Sequence, residues 1–405
     1  MHLILFDDPV IQRQLLPFTF TRPVAAVRCG TLTLAEKWQR RGFATGYLTQ
    51  PHLAGNYPVN GPDAALYVNG AVCADDALAA ALSTLVPGGA LRLSDETLVA
   101  FRPEAGTAPL ATPEAVLVAA QEASALTHTG AATVIRQPWH LFRQNGAQLR
   151  ADFALLTRGR ASAEITDKHT IVYGPENVFL EPGARVRAAI LNAEKGPIYL
   201  AAGAEVQEGS IIVGPCSIGE DSVVNVGAKL RGDNTVGPHC KVGGEVSNSI
   251  LFGYSNKGHD GFIGNTVIGE WCNLGADTNT SNLKNNYAPV KVWSYAKQGF
   301  VNTGEQFCGL LMGDHAKAGI NTMFNTGTVV GPGANVFGAG FPRTFIPAFA
   351  WGGAAGFETF QLPKMLEVAQ RVMERRKIAL DEAEKAMLGE VFELTRAERI
   401  WEGSR

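Results

Sequence analysis

Aliphatic side chains recur every six residues through the second half of the chain. A period of six matches neither the 3.6-residue period of an α-helix nor the two-residue alternation of a strand. It predicts a hexapeptide-repeat parallel β-helix, whose short strands and corners stack as a prism around inward-pointing aliphatic residues. Eight consecutive matches disfavour the alternative, a β-sandwich with accidental spacing. The repeating positions are Leu200, Val206, Ile212, Ile218, Val224, Leu230, Val236 and Val242, then Phe262, Ile268 and Leu274, and finally Met312, Ala318, Phe324, Val330 and Val336.

The first half alternates between strand-like and helix-like segments, which predicts an α/β domain with a mostly parallel sheet. The strand-like segments are residues 2–6, 64–68 and the hairpin 90–101, and the helix-like segments are residues 31–41, 75–85 and 113–126. Apolar residues at helical spacing also predict an amphipathic helical tail. The expected domains are an α/β domain at 1–165, a β-helix at 170–350 and a helical tail at 355–405.

Composition narrows the class of protein. With 46% hydrophobic residues, 18% charged residues and a net charge of −3, the chain has no basic footprint for nucleic acid and no polybasic membrane anchor. It contains no apolar run long enough to span a membrane, and its first residues do not resemble a signal peptide. Its six cysteines form no CxxC pair, which favours reduced thiols. We therefore expect a cytoplasmic enzyme without nucleic-acid or membrane partners.

A histidine in the first interruption of the repeat, residues 244–261, is a candidate general base. His259 lies between Gly258 and Gly261, which favours an exposed imidazole, and Glu245 precedes it by 14 residues. Neighbouring coils of a β-helix lie about 4.8 Å apart, so a carboxylate–imidazole hydrogen bond is feasible. Such a pair accepts a proton from an attacking amine or hydroxyl. A structural role for a lone histidine is the alternative.

Basic and amide side chains suggest binding of a phosphorylated sugar. Lys229 and Arg231 alternate on one strand and leave the same face, which suits a phosphate, although solvated surface charge is the alternative. Asn273 and the Asn-rich loop with Asn282 and Lys284 offer donors to sugar hydroxyls.

In the first half, three basic residues are candidate ligands for nucleotide phosphates: Arg22, Arg28 and Lys37. No Walker-type or GxGxxG sequence accompanies them, so on its residues alone this half is an α/β domain without an assigned nucleotide loop.

Several long motifs resemble a family of sugar nucleotidyltransferases that carry a β-helix behind the transferase-like domain. This family is regarded as an alternative form of the bifunctional enzyme that acetylates glucosamine-1-phosphate and then uridylylates the product to UDP-N-acetylglucosamine. The motifs are Phe20-Thr21-Arg22-Pro23, Glu36-Lys37-Trp38, the stretch Gly253-Tyr254-Ser255-Asn256-Lys257-Gly258-His259-Asp260-Gly261-Phe262, and residues 270–286 and 313–328.

The resemblance implies a left-handed β-helix, a homotrimer with active sites between subunits, acetyl-CoA and Mg²⁺ as cofactors, and nucleoside triphosphate and sugar phosphate as substrates. It implies that His259 is the catalytic base and Glu245 its partner, that Lys229 and Arg231 bind phosphate, and that Phe262, Asn273, Asn282 and Lys284 contact the substrate. Arg22, Arg28, Lys37 and Asn69 are the nucleotide-binding candidates, and the metal ligands are not assigned.

Two alternatives stay open at this stage. One is a sugar-1-phosphate nucleotidyltransferase whose β-helix is purely structural, which is favoured by Phe262 in place of a tyrosine and Ser247 in place of a lysine. The other is a non-catalytic module that binds nucleotide sugars, which is favoured by Asn69 where the fold usually has a metal-binding aspartate.

Overall fold

The computed structural model describes residues 1–61 and 66–403. Contacts divide the chain into two compact units, the first formed by Met1–Arg28 and Leu32–Pro138, the second by Cys29–Thr31 and Trp139–Arg405. The division falls at Pro138, where a long helix starts, and not near residue 165. That helix is therefore part of the same compact unit as the β-helix.

The first unit is built on a six-stranded mixed sheet with the order β2-β1-β3-β5-β4-β6. Three of the neighbouring pairs are parallel and two are antiparallel. The strands are β1 (His2–Phe6), β2 (Ala44–Leu48), β3 (Leu66–Asn69), β4 (Gly89–Leu93), β5 (Leu98–Phe101) and β6 (Ser124–His128). The helices are α1 (Pro9–Gln14), α2 (Leu34–Gln39), α3 (Asp76–Thr84) and α4 (Pro113–Ala119).

Helix ends in this unit follow local side-chain chemistry. Thr33 and Glu36 form a capping box at the start of α2, and Asp75 caps α3 by accepting from the backbone N–H of Leu78. The predicted helix over 113–126 is wrong beyond Ala119, because residues 124–128 form edge strand β6 beside β4. Positions 64 and 65 of the predicted second strand lie outside the described residues.

The second unit begins with α5 (Pro138–Thr157) and continues as a parallel β-helix with three faces. The first face comprises β7 (Ile171–Tyr173), β10 (Ile190–Asn192), β13 (Ile211–Val213), β16 (Lys229–Arg231), β19 (Glu245–Ser247) and β22 (Phe262–Gly264). The second face comprises β8 (Val178–Leu180), β11 (Ile198–Leu200), β14 (Cys216–Ile218), β17 (Asn234–Val236), β20 (Ile250–Gly253), β23 (Val267–Glu270), β28 (Leu311–Met312), β31 (Val329–Val330) and β33 (Phe345–Ile346). The third face comprises β9 (Arg185–Val186), β12 (Glu205–Val206), β15 (Val223–Val224), β18 (Lys241–Val242), β21 (Asn256–Lys257), β24 (Asn273–Leu274), β29 (Lys317–Ala318), β32 (Asn335–Val336), β34 (Ala350–Gly353) and β35 (Gly356–Thr359).

The interior of the prism is the aliphatic column that the six-residue period predicts. All eight residues from Leu200 to Val242 at this spacing are at most 1% exposed and belong to one core cluster. The class of fold predicted from the sequence, an α/β domain followed by a parallel β-helix and a helical tail, is confirmed. One register is wrong: Ile263 and not Phe262 points inward, and Phe262 lies half-buried on the outside.

Glycines at the corners of the coils are required by space. Gly237 follows β17 with an ordinary backbone conformation, but a Cβ atom on it would lie 1.9 Å from the carbonyl oxygen of Phe252 in the next coil. Because the coils stack through backbone hydrogen bonds, no side chain can be inserted there without separating them.

Two short strand pairs and a helical tail lie outside the three faces of the β-helix. Strands β25 (Asn279–Thr280) and β30 (Met323–Phe324) pair in parallel, and β26 (Lys291–Ser294) and β27 (Gly299–Asn302) form a hairpin. The tail consists of α6 (Leu362–Glu374) and α7 (Glu382–Leu394). Arg376, two residues after α6, donates to Asn256 Oδ1 on the third face, at 3.3 Å. Within the described ranges, no helix combines the length and the apolar character needed to cross a membrane.

Candidate functional sites

Four of the predicted site residues lie side by side on the outside of the first face. The strand register places Lys229 opposite Glu245, and Glu245 opposite Phe262. Lys229 and Arg231 flank the fully buried Leu230, so their side chains do leave the same face and are exposed. The result is a cationic pair on one strand, with a carboxylate and an aromatic ring on the next two.

The carboxylate of Glu245 does not pair with the imidazole of His259. Instead, Arg231 donates to Glu245 Oε1 at 2.8 Å, with side chains that are 66% and 34% exposed, respectively. The predicted hydrogen bond between Glu245 and His259 is therefore wrong: among the described residues, the side-chain partner of Glu245 is Arg231. The guanidinium of Arg231 is a permanent cation with several donors, so it binds the carboxylate of Glu245 on the neighbouring strand in preference to the imidazole.

His259 lies at the corner between β21 of the third face and β22 of the first face, and its side chain is exposed. The corner is close to Glu245 through the backbone: a Cβ atom on Gly244 would meet the carbonyl oxygen of His259 at 2.9 Å. Glu245 itself donates its backbone N–H to the carbonyl of Gly261. The imidazole and the cationic pair thus belong to the same edge of the β-helix, with the coil of Glu245 between them.

Amides extend this edge by one coil. Asn279 accepts the backbone N–H of Phe262 at 2.8 Å, and Asn282 donates to Asn265 Oδ1 at 2.9 Å. The ring of Phe262 and the amide of Asn282 both lie over Gly264, where a Cβ atom would meet them at 2.7 Å and 2.5 Å. Phe262 and Asn282 therefore line the same small surface, next to the first face.

Two predicted substrate contacts are not brought to this surface. Lys284 donates to the carbonyl of Pro289 at 3.0 Å, so its ammonium closes its own loop. Asn273 is exposed on the third face, beside Asn256, and not on the face that carries Lys229 and Glu245. Sequence spacing alone does not distinguish the faces across an interrupted coil.

All four nucleotide-binding candidates of the first unit are buried. Arg22, Arg28, Lys37 and Asn69 are between 0% and 8% exposed. Arg28 pairs with Glu36 at 3.4 Å. Asn69, at the carboxyl end of β3, donates to the carbonyl of Leu98 and accepts the N–H of Ala71, so its amide is used by the backbone.

A buried carboxyl group that sequence reasoning did not single out lies at the same edge of the sheet. Asp7 follows β1, is fully buried, accepts the N–H of Val24 at 2.8 Å and accepts from the hydroxyl of Thr49 at 2.5 Å. It thereby fixes the segment that contains Arg22 and Pro23. The available signal was an acidic pair directly after a strand, since the carboxyl ends of neighbouring parallel strands form the usual binding edge.

Burial raises the pKa of Asp7 to about 7, although Thr49 and Val24 oppose this by hydrogen bonding. The folded state then binds more protons than the unfolded state between pH 4 and pH 7, so the free energy of unfolding decreases as the pH rises through this window, by up to about 4 kcal/mol. We expect Asp7→Asn to remove this dependence, which urea titrations of both proteins at pH 5 and pH 8 would measure. If the free energy of unfolding changed equally with pH in the wild type and in Asp7→Asn, Asp7 would not be the group responsible.

The donor set at this edge does not fit a preformed Mg²⁺ site. Oxygen ligands from carboxylates are what Mg²⁺ requires. Asp75 caps α3, and the carboxylate of Asp76 pairs with Arg41 at 3.0 Å. Over the described parts of the chain, no group of three or more His, Cys, Asp or Glu side chains could hold a metal ion. All six cysteines lie in these parts, buried and without disulfides.

Comparison with known proteins gives one family match and several partial relatives. Residues 3–161 match the profile of the sugar nucleotidyl transferase family. The chain is 38% identical over 87 residues to the bifunctional protein GlmU of Methanocaldococcus jannaschii. The aligned segment covers 22% of this chain and 21% of that protein. It is 30% identical over 145 residues to the bifunctional sugar-1-phosphate nucleotidylyltransferase/acetyltransferase of Sulfurisphaera tokodaii, which covers 35% of this chain and 36% of that protein.

A solved structure, the UDP-N-acetylglucosamine acyltransferase of Arabidopsis, aligns with 59% of this chain and 95% of its own at 15% identity, with a TM-score of 0.25. That score carries no functional conclusion. The matched family and both curated relatives are transferases by their names. The resemblance to sugar nucleotidyltransferases is confirmed by the match of residues 3–161 to the model of that family. The chain spans only about a fifth to a third of the length of the two curated relatives.

Proposed function

We propose that this chain contributes two reactions to the formation of a nucleotide sugar of the UDP-N-acetylglucosamine type. At the edge of the β-helix, an acetyl group passes from acetyl-CoA to the amine of an amino-sugar phosphate. In the first unit, a nucleotidyl group passes from a nucleoside triphosphate to a sugar-1-phosphate. The observation that carries the first reaction is the exposed imidazole of His259 on the coil next to Glu245 and two coils from Lys229 and Arg231, at the same edge of the β-helix.

In acetyl transfer, the neutral imidazole of His259 takes a proton from the attacking amine. The new nitrogen–carbon bond forms as the carbon–sulfur bond of the thioester breaks, and coenzyme A leaves as the thiol with the proton that the imidazole carried. Lys229 and Arg231 hold the sugar phosphate. The Arg231–Glu245 pair is exposed, so Glu245 binds the guanidinium only weakly. A phosphate group therefore competes effectively with Glu245 for Arg231.

In nucleotidyl transfer, an oxygen of the sugar phosphate attacks the α-phosphorus, and the bond to pyrophosphate breaks. Arg22, Arg28 and Lys37 are the residues of the first unit proposed to stabilise the phosphate charge. Mg²⁺ is expected in such reactions to offset charge on the phosphates. Since the carboxylates at this edge have other partners, no metal ligand is proposed.

The proposed assembly is a homotrimer in the cytoplasm, and it is supported by apolar side chains on the outside of the first face. Ile171, Tyr173 and Ile211 are 49%, 48% and 40% exposed, and the two isoleucines align with Ile190 across three neighbouring strands. A contiguous apolar column of this kind is typical of an interaction surface.

Ile211→Glu is expected to convert the trimer to monomers, because it introduces a charge into this apolar column, directly beside Ile190. Light scattering coupled to size-exclusion chromatography measures the mass. The matched control is Val226→Glu, at a corner position that is 66% exposed, and it is expected to leave the mass unchanged. A trimer that survives Ile211→Glu would exclude this surface from the interface.

A turnover assay tests the proposed function. The protein is incubated with acetyl-CoA and amino-sugar phosphates, and separately with nucleoside triphosphates and sugar-1-phosphates, while released thiol and pyrophosphate are measured. Pyrophosphate release without thiol release would favour a single-activity nucleotidyltransferase with a structural β-helix, a reading that the Arg231–Glu245 pair also favours. Nucleotide-sugar binding without either product would favour a non-catalytic binding module.

A further inference from the structure

A lysine occupies an interior position of the prism, next to the corner that carries His259. Lys257 lies opposite Val242 in the register of the third face and is fully buried. The nearest members of this interior column on either side are apolar: Val224, Val242, Leu274 and Ala318. An ammonium group in an apolar core costs several kcal/mol unless it is paired, so its partners identify what it does.

The ammonium of Lys257 is bonded to the backbone of the His259 corner. Its Nζ donates to the carbonyl of His259 at 2.5 Å and to the carbonyl of Asp260 at 2.7 Å. The flanking carbonyls are also satisfied, that of Gly258 by Asn225 Nδ2 and that of Gly261 by the N–H of Glu245. Every carbonyl from residue 258 to residue 261 is therefore fixed, two of them by one buried cation.

From this geometry we infer that Lys257 is a positioning residue for His259, holding the corner so that the imidazole faces the edge shared with Lys229 and Glu245. The inference rests on the proposed acetyl transfer for its catalytic meaning, whereas the bracing of the corner stands independently of it. Burial lowers the pKa of Lys257 to about 8, with Asp260 and Asp277 opposing this, so the ammonium is mostly charged at pH 7 and its hydrogen bonds are charge-assisted.

The test substitutes Lys257→Met, which keeps an unbranched side chain of similar length in the interior and removes both hydrogen bonds. Hydrogen–deuterium exchange of the backbone amides in residues 258–262 is expected to accelerate by about tenfold or more, because the corner opens locally. The matched control is Lys241→Met, the same substitution at the exposed position opposite Asn256 on the preceding strand, and it is expected to leave this exchange unchanged.

Kinetics give the catalytic readout. For Lys257→Met, the kcat of acetyl transfer is expected to fall by roughly 10- to 100-fold with the KM for acetyl-CoA changed by less than about threefold, because a displaced base affects the proton transfer more than binding. Wild-type exchange in a folded Lys257→Met protein overturns the inference. Accelerated exchange in a protein whose wild type releases no thiol leaves the bracing intact and refutes only the proposed acetyl transfer.

Should Lys257→Met not fold, Lys257→Gln provides the second variant. Glutamine is shorter by one bond and uncharged, so it fits the same interior position but cannot span both carbonyls. Faster exchange in residues 258–262 is expected again, and exchange at the wild-type rate would contradict the inference.

Discussion

Replacing His259 with alanine is expected to reduce the rate of acetyl transfer by a factor of ~10²–10⁴, the usual contribution of a positioned general base. The imidazole is exposed, so its removal opens no cavity and the fold is expected to persist. The rate of thiol release from acetyl-CoA, measured at saturating acceptor, gives the effect on kcat. Pyrophosphate release by the first unit should remain within about twofold.

The matched control is His169→Ala, because His169 is also an exposed histidine of the second unit. It is expected to keep the wild-type rate of thiol release. Acetyl transfer by His259→Ala within a few-fold of wild type would remove His259 from the role of base, and the proposed mechanism would then lack a proton acceptor.

Replacing Gly237 with alanine is expected to lower the free energy of unfolding of the second unit by about 3 kcal/mol, at the upper end of the usual cost of overpacking. The added methyl group would lie 1.9 Å from the carbonyl oxygen of Phe252, a backbone atom of the next coil that cannot rotate away. The hydrogen bond from the N–H of Gly237 to the carbonyl of Leu251 would lengthen as the coils separate. Thermal unfolding followed by circular dichroism should show a midpoint lower by roughly 5–10 °C.

Gly389→Ala is the matched control with the opposite sign. Gly389 lies within α7, and the nearest atom to an added Cβ is Leu362 Cδ2 at 3.9 Å, an ordinary contact. Alanine in a helix interior is favoured over glycine by about 1 kcal/mol, so the midpoint should rise slightly. A Gly237→Ala midpoint within 1 °C of wild type would mean that the neighbouring coil moves without cost.

The sequence is most informative where the repeat is regular. From Leu200 to Val242 each period-six position is an interior position, because each hexad contributes one strand and one corner of constant length. After Val242 the corner shortens, and Leu230 pairs with Val246 sixteen residues later, whereas Ile212 pairs with Leu230 eighteen residues later. Because this corner is shorter, the interior position falls on Ile263 and not on Phe262. A six-residue period counted along the sequence does not reveal a corner of different length.

The sequence predicted which side chains of the candidate site face outward, but not which of them contact each other. The outward alternation of Lys229 and Arg231 followed from the strand period, and the exposure of His259 followed from its flanking glycines. The partner of Glu245 did not follow, because both the guanidinium of Arg231 and the imidazole of His259 belong to coils next to it. In the first unit, Asn69 and Asp7 are held by backbone groups from distant segments, which no local pattern reports.

The six-residue period determined the prism, its aliphatic interior and the outward direction of the polar side chains, since each of these depends only on local geometry. Tertiary structure alone decided that Arg231 binds Glu245, that Asn273 lies on a different face from Lys229, and that Lys257 points inward to hold the His259 corner. The reason is physical: a period fixes which way a side chain leaves the backbone, whereas the neighbour it meets depends on how corners of unequal length set one coil against the next.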